Sequence, residues 1–348
     1  MISENVAKLS HNMDLNYREM CATMNEILDG KTSLQETVGF LKNLSAKGES
    51  DDEILAMLDT MQRHAIHINP KCKGRVIDVC GTGGDKKQTF NVSTTAAFVI
   101  AAGGVSVAKH GNRSSSGTSG SADIFEYFGY DLNMEPEKIE KIIEKFNIGF
   151  MFAQKFHPAM KNVADARKAL ATRTVFNLLG PLSNPAQVKN QLIGVFSSSY
   201  LQRISRLLES RGAENIMTVI SLDGLDELST TAKNQVCHLR DGRIDSYILD
   251  PAQIGLQRAN LGDIQVSTKE ESIRAFVSVL NGTGKKPIMD ITALNAAAGL
   301  IVGGVADKFD EALGIAFDTI HSGKSFELFR EFVKHCGDMS KLEELKLN

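Results

Sequence analysis

At 348 residues, with 42% hydrophobic and 23% charged residues, the chain is long enough for about two ordinary globular domains and can bury about three quarters of its unfolded surface. A formal net charge of −3 excludes a global basic field of the kind that drives sequence-independent nucleic-acid binding, so any anion site must be built locally. Five scattered cysteines, Cys21, Cys72, Cys80, Cys237 and Cys336, show no Cys-x-x-Cys spacing, which argues against a disulfide framework and against structural zinc.

The N-terminus, Met1-Ile2-Ser3-Glu4-Asn5, has no basic stretch followed by an apolar run, and no apolar run approaches the roughly 18 residues of a membrane span. A soluble, cytoplasmic protein without a membrane partner is expected. From about residue 16 to 67 apolar residues recur at three and four: Met20, Met24, Ile27 and Leu28, then Val38, Leu41 and Leu44, then Ile54, Met57, Leu58 and Met61. This spacing predicts three or four helices. Asp29-Gly30-Lys31 and Lys47-Gly48 read as helix stops, and Ser50 with Glu53 as a capping box. At Gly74 the pattern changes to short β-branched runs, residues 75–80, 105–108, 192–196 and 216–222, separated by helical ones. Such alternation predicts a mostly parallel sheet covered by helices. The stretch 174–185, apolar but carrying Pro181 and Pro185, reads as a linker leaving and re-entering the sheet domain.

Four segments carry chemistry. Asp78-Val79-Cys80-Gly81-Thr82-Gly83-Gly84-Asp85 follows a predicted strand, and its glycines let backbone N–H groups approach an anion. It fits neither the dinucleotide fingerprint, whose third glycine falls on Lys86, nor the Walker pattern; alone it reads equally as a tight turn. Next, Thr89-Phe90-Asn91-Val92-Ser93-Thr94-Thr95 leads into an apolar helix, and a helix start just past a strand exit either caps itself or binds an anion. Third, the strand 105–108 runs out into Lys109-His110-Gly111-Asn112-Arg113 and a Ser/Gly/Thr loop, with cations and an imidazole at the strand exit. For His110 alone a backbone hydrogen bond in the loop is the simpler role. Fourth, Asp226-Glu227 follows the strand 216–222; adjacent acids there either open a helix or, beside phosphate loops, hold Mg²⁺.

Taken together, Gly81-Thr82-Gly83-Gly84-Asp85, Asn91-Val92-Ser93-Thr94, Lys109-His110-Gly111-Asn112-Arg113, Ser119-Gly120-Ser121-Ala122-Asp123 and Asp226-Glu227 resemble the motifs of the anthranilate phosphoribosyltransferase family in order and spacing. The likeness runs over nearly the whole chain, through His157-Pro158-Ala159-Met160, Phe176-Asn177-Leu178-Leu179-Gly180-Pro181-Leu182 and Leu294-Asn295-Ala296-Ala297-Ala298. One departure is Lys86, where the family usually has Gly. The resemblance implies an α/β fold of the nucleoside phosphorylase/phosphoribosyltransferase kind. A small N-terminal helical domain, 1–73, joined by helices from about 160–186, precedes a larger α/β domain with a mostly parallel central sheet, 74–348. It implies transfer of the phosphoribosyl group of phosphoribosyl pyrophosphate (PRPP) to the amino group of anthranilate, in tryptophan biosynthesis, by a homodimer assembled through the helical domain. Gly81, Gly84, Asp85, Thr89, Asn91, Ser93, Thr94, Lys109 and Ser121 are then expected on the PRPP side, Val92 and Gly111 among the substrate-binding residues, and Ser93, Asp226 and Glu227 on Mg²⁺. Gly81, His110, Asn112 and Arg167 are expected to meet anthranilate, with Lys109, Asp226 and Glu227 as the catalytic set. Two other readings are a pyrimidine nucleoside phosphorylase-like enzyme, whose group lacks the Lys-His-Gly-Asn-Arg and Asp-Glu motifs, and a non-catalytic ligand-binding relative.

Overall fold

The structure is a computed structural model that describes residues 2–85, 87–114 and 119–345. Lys86, and Ser115, Ser116, Gly117 and Thr118 of the Ser/Gly/Thr loop, lie outside the described residues. The chain divides into two units, one formed by the stretch up to His67 together with Ala153–Pro185, the other by Ile68–Phe152 and everything from Ala186 onward.

In the first unit, helices run Ile2–Ser10, Tyr17–Leu28, Leu34–Lys47 and Asp51–Arg63. The last three each open on a capping box, Asn16 with Glu19, Ser33 with Glu36 and Ser50 with Glu53. The stops fall where the sequence puts them, with Gly30 and Gly48 at φ +71° and +84°. The first helix lies ahead of the region where periodicity is legible. Its buried face is only Ile2, Asn5 and Leu9, and one of those three is polar.

The returning stretch holds helices Ala153–Phe156, Lys161–Leu170 and Val175–Leu182. The last of these corrects the linker expected over 174–185. Val175, Leu178, Leu179 and Leu182 repeat at three and four and are buried. Pro181 sits in the final turn, where its missing N–H removes a single backbone bond. The unit closes at His67 rather than at residue 73, because the Asn69 and Lys71 amides donate to Glu140 and Glu144 of the second unit, both at 2.6 Å. It resumes at Ala153 rather than near 160, since the Ile66 amide donates to the Phe156 carbonyl at 2.8 Å.

The second unit is built on seven strands: β1 Val76–Gly81, β2 Ser106–Gly111, β3 Ile148–Phe152, β4 Asn190–Gly194, β5 Asn215–Ser221, β6 Asn234–Arg240 and β7 Arg243–Leu249. Their spatial order is β3-β2-β1-β4-β5-β6-β7. The first five are parallel, and β6 and β7 add an antiparallel hairpin. Asp241 and Gly242, at φ +52° and +70°, turn that hairpin as an Asp-Gly pair does. β3, β6 and β7 are strands the sequence reading missed; β7 is an exposed edge whose polar residues break any apolar run. Helices Val92–Ala102 and Lys286–Val302 are buried almost all round and pack on each other behind the sheet. From β1 the chain builds outward through β2 and β3, then returns to place β4 on the other side. The carboxyl ends of β1 and β4 therefore flank a topological switch point, where open α/β sheets bind ligands. Among the described residues no helix is long and apolar enough to cross a membrane, and all five cysteines are free thiols.

Candidate active site

At the switch point the loop 81–85 leaves β1 with Gly83 and Gly84 at φ +71° and +80°, a left-handed path that glycine takes without strain. The Thr82 amide donates to the Gly194 carbonyl at the end of β4, 2.9 Å, and the Gly83 amide to Asp226 Oδ2, 2.5 Å. Gly194 itself is indispensable here, since a Cβ on it would lie 1.5 Å from the Asp226 carbonyl oxygen. The acidic pair thus rests directly on the strand end. The stretch 222–233 is a tied loop rather than a helix start.

Beyond the loop, Asn91 caps the helix Val92–Ala102, its side chain accepting from the Thr94 amide at 3.2 Å. Val92 is buried in the first turn. The Ser93 amide donates to Glu227 Oε1 at 3.2 Å, so the positive end of a helix faces a carboxylate. Thr94 Oγ1 donates to Ser121 Oγ, 3.0 Å, and Asn91 Nδ2 to the Ser119 carbonyl, 3.4 Å. Thr89 bridges to Gln265. Asn112 accepts the Ala122 amide on its carbonyl, 3.3 Å, and the Arg113 amide on its side chain, 2.8 Å. Arg113 forks onto Glu126.

Lys109 and His110 are not in the loop, as the sequence suggests, but inside β2, which runs on to Gly111 because it pairs with β3 from Val107 to Gly111. On its other side the β1–β2 register is Val76 with Ser106 and Ile77 with Val107. Above it side chains take over: Asp78 Oδ1 accepts the His110 amide at 3.2 Å, and Lys109 Nζ donates to the Val79 carbonyl at 2.6 Å and to Ser93 Oγ at 2.9 Å. Lys109 is only 1% exposed, and burial pulls its ammonium below the ordinary lysine value despite Asp78, Cys80 and Glu227 nearby.

The carboxylates show the opposite strain. Burial, and then the charge of Asp85, raise Asp226 to about 7. Burial, followed by the charges of Asp226 and Asp85, holds Glu227 well above its ordinary value. Its Oε2 is buried with no hydrogen-bond partner. Such a group calls for a cation. No three His, Cys, Asp or Glu side chains converge as a closed metal cage among the described residues. A cation there would be held by Asp226, Glu227 and the Ser93 hydroxyl and would need further oxygen ligands, the incomplete protein shell that Mg²⁺ prefers. The residues fit that ion.

Structure thus brings together Gly81, Gly84, Asp85, Asn91, Val92, Ser93, Thr94, Lys109, His110, Gly111, Ser121, Asp226 and Glu227 around the strand ends, with Asn112 and Thr89 at the margins. Arg167 belongs to the first unit, on helix Lys161–Leu170, half-buried with its guanidinium 5.7 Å from the Phe176 ring centre; burial lowers its pKa. Sequence reasoning missed Gly194 and gave Asp78, though part of the glycine-loop segment, no role of its own; both act through partners distant in the chain.

Two family patterns, one for each kind of unit, place the chain among the glycosyl transferases. The pattern described as "Glycosyl transferase family, a/b domain" matches residues 73–326, and that of the family's helical bundle domain matches 4–65. The anthranilate phosphoribosyltransferase of Nitrosopumilus maritimus is 59% identical over 345 residues, covering 99% of both chains. The crystal structure of the Thermus thermophilus enzyme of that name superposes with a TM-score of 0.88 at 39% identity, covering 94% of this chain and 98% of that one. The Saccharomyces cerevisiae enzyme, solved in complex with PRPP and Mg, superposes with a TM-score of 0.87 at 26% identity over 96% and 97% of the two chains. The chain belongs to the anthranilate phosphoribosyltransferase family.

Proposed function

We infer that this protein transfers the phosphoribosyl group of PRPP to the amino group of anthranilate, giving N-(5-phosphoribosyl)anthranilate and pyrophosphate, a step of tryptophan biosynthesis. The observation that carries the reading is the buried pair Asp226 and Glu227, with its unpartnered Oε2, set against the 81–85 loop and the Ser93 helix start. A diphosphate ester needs such a cation site beside backbone donors. In this reading Gly81, Gly84, Asp85, Thr89, Asn91, Val92, Ser93, Thr94, Gly111 and Ser121 hold PRPP, and Ser93, Asp226 and Glu227 hold Mg²⁺. When bound, Mg²⁺ neutralises diphosphate charge as the leaving group departs. Lys109 holds Ser93 Oγ and places a positive charge under the cluster. Gly81, His110, Asn112 and Arg167 orient anthranilate.

The amine nitrogen attacks ribose C1, the bond from C1 to the pyrophosphate oxygen breaks, and the nitrogen then loses a proton. An aromatic amine is neutral and nucleophilic at pH 7, so no strong base is required, and positioning with charge stabilisation supplies the rate. The test is anthranilate fluorescence, which should fall with time only when PRPP and Mg²⁺ are both present. Turnover of thymidine with phosphate instead would overturn the reading.

The acceptor side rests on Arg167. Arg167→Ala should raise the Michaelis constant for anthranilate roughly ten- to hundredfold, the loss of a charge-assisted contact of about 1.5–3 kcal/mol. That for PRPP should hardly move, and Lys should rescue poorly because an ammonium cannot form the fork. A change confined to PRPP, or none, would remove Arg167 from the site.

The helical unit is read as the dimer surface of a cytoplasmic enzyme. Met13, in the connection before helix Tyr17–Leu28, and Tyr17 and Leu34, the first residues of their helices, are 50%, 41% and 48% exposed, apolar surface that a partner subunit would cover. Sedimentation should give twice the 37.9 kDa chain mass at micromolar concentration; a monomer would contradict the assembly.

A further inference from the structure

The two residues that follow the acidic pair are gripped by asparagine side chains, one from a distant core helix and one from the strand that the same loop leads into. Asn295, on helix Lys286–Val302, accepts the Leu228 amide on Oδ1 at 3.1 Å and donates Nδ2 to the Leu228 carbonyl at 2.7 Å. Its second N–H goes to the Ile291 carbonyl, 2.9 Å. Asn234, the first residue of β6, does the same to the next residue, accepting the Ser229 amide at 2.8 Å and donating to the Ser229 carbonyl at 2.9 Å. Both side chains are buried, at 3% and 0% exposure. Each therefore reproduces, with one side-chain amide, the paired bonds that a neighbouring strand would make. In effect the loop is a two-residue strand with asparagines as its partners.

This grip closes a circuit around Glu227. Its carboxylate is held by the Ser93 amide at the start of helix Val92–Ala102. Its chain successor, Leu228, is held by Asn295 on helix Lys286–Val302. Those two helices pack on each other in the core. On the other flank, Asp226 is held by the Gly83 amide and backed by Gly194. Two adjacent buried carboxylates repel each other and would swing apart or toward solvent if their backbone were free.

We propose that Asn295 and Asn234 are positioning residues that lock the backbone at Leu228 and Ser229 so that Asp226 and Glu227 stand side by side before any cation arrives. The proposal rests on the reading of that pair as the Mg²⁺ site. Neither asparagine reaches the carboxylate oxygens in this geometry; they act through two peptide groups. A site competent only a fraction of the time binds its ion weaker by that fraction, so the clamp sets cation affinity and leaves the chemical step alone.

The experiment uses the full chain. In the metal-free wild type, hydrogen exchange should show the Leu228 and Ser229 amides protected like the strands, and unchanged by Mg²⁺. In Asn295→Ala and Asn234→Ala those amides should exchange about tenfold faster or more, with protection kept in the helices behind the sheet. Mn²⁺ alone, followed by electron paramagnetic resonance, should bind about tenfold more weakly to each variant. In turnover, the half-saturating Mg²⁺ concentration should rise by a similar factor, while kcat at saturating Mg²⁺ stays within about twofold and the Michaelis constant for anthranilate is unmoved. Unchanged Mn²⁺ affinity with local protection lost would overturn the proposal, as would a kcat lowered equally at every Mg²⁺ concentration. Rapid exchange of the two amides in the wild type would overturn it without any variant. Should Asn295→Ala fail to fold, Asn234→Ala decides. If wild type binds Mn²⁺ but does not consume anthranilate, the reading of the reaction fails while the clamp is still tested by exchange and metal binding.

Discussion

Gly194→Ala should lower kcat/KM for PRPP by about a hundredfold or more while the second unit stays folded. The added Cβ would lie 1.5 Å from the Asp226 carbonyl oxygen and 2.5 Å from its carbon. Because the obstacle is backbone, no rotamer change relieves it, and either β4 or the 222–229 loop must move by an ångström or more. The loop is already fixed beyond the acidic pair, at Leu228 and Ser229, so the displacement falls on Asp226 and Glu227. Overpacking of this kind costs about 1–3 kcal/mol of stability, but a misplacement near 1 Å in a positioning site can remove about a hundredfold in rate. Gly314→Ala is the matching control. It lies exposed on helix Phe309–His321, with nothing within 4 Å of the new Cβ, and should gain up to about 1 kcal/mol with unchanged kinetics. Wild-type turnover in Gly194→Ala would show that the acidic pair need not sit on the strand end.

Why Gly194 escapes a reading of the sequence also explains what does not. The 81–85 loop and the Asp226-Glu227 pair announce themselves because glycine and carboxylate chemistry is concentrated within a few residues just past an apolar run. The Ser50–Glu53 capping box and the stops at Gly30 and Gly48 are likewise local, and the parallel strands β1, β2, β4 and β5 each carry a short apolar run. Gly194 is ordinary until Asp226, thirty-two positions on, crosses its α-carbon. Lys109 reads as a ligand-facing cation in the loop at a strand exit, yet β3 extends the pairing and its ammonium lies on the Val79 carbonyl and Ser93. Asn295 sits in an apolar helix where only tertiary structure shows what its amide grips. The segment 174–185 errs in the other sense: a helical repeat is present, but Pro181 and Pro185 outweigh it unless one knows that Pro181 falls in the last turn.

The acidic pair should also reveal itself as a trade of stability for function. In the metal-free protein, burial and neighbouring carboxylates hold Asp226 at about 7 and Glu227 well above its ordinary value. An acid whose folded pKa is raised binds its proton more tightly when folded. Its contribution to stability is therefore complete below the unfolded value near 4 and is lost as pH climbs through about 7. Wild type stripped of metal should lose stability over that window, and Mg²⁺ should restore more of it at pH 8 than at pH 5. Asp226→Asn with Glu227→Gln leaves neither carboxyl to titrate. Its urea-unfolding stability should be flatter across pH 5, 6.5 and 8 and should exceed metal-free wild type by about 2–4 kcal/mol at the highest. The same exchange removes the charges that hold Mg²⁺ beside the diphosphate, so turnover should fall by at least about a hundredfold and cease to respond to a Mg²⁺ titration. Parallel stability curves would mean that the pair carries no strain, and an unaltered Mg²⁺ response would place the metal elsewhere. A variant that is more stable, insensitive to pH and nearly inactive is the combination that ties burial of the two carboxylates to catalysis, because local damage to the fold would lower stability and activity together.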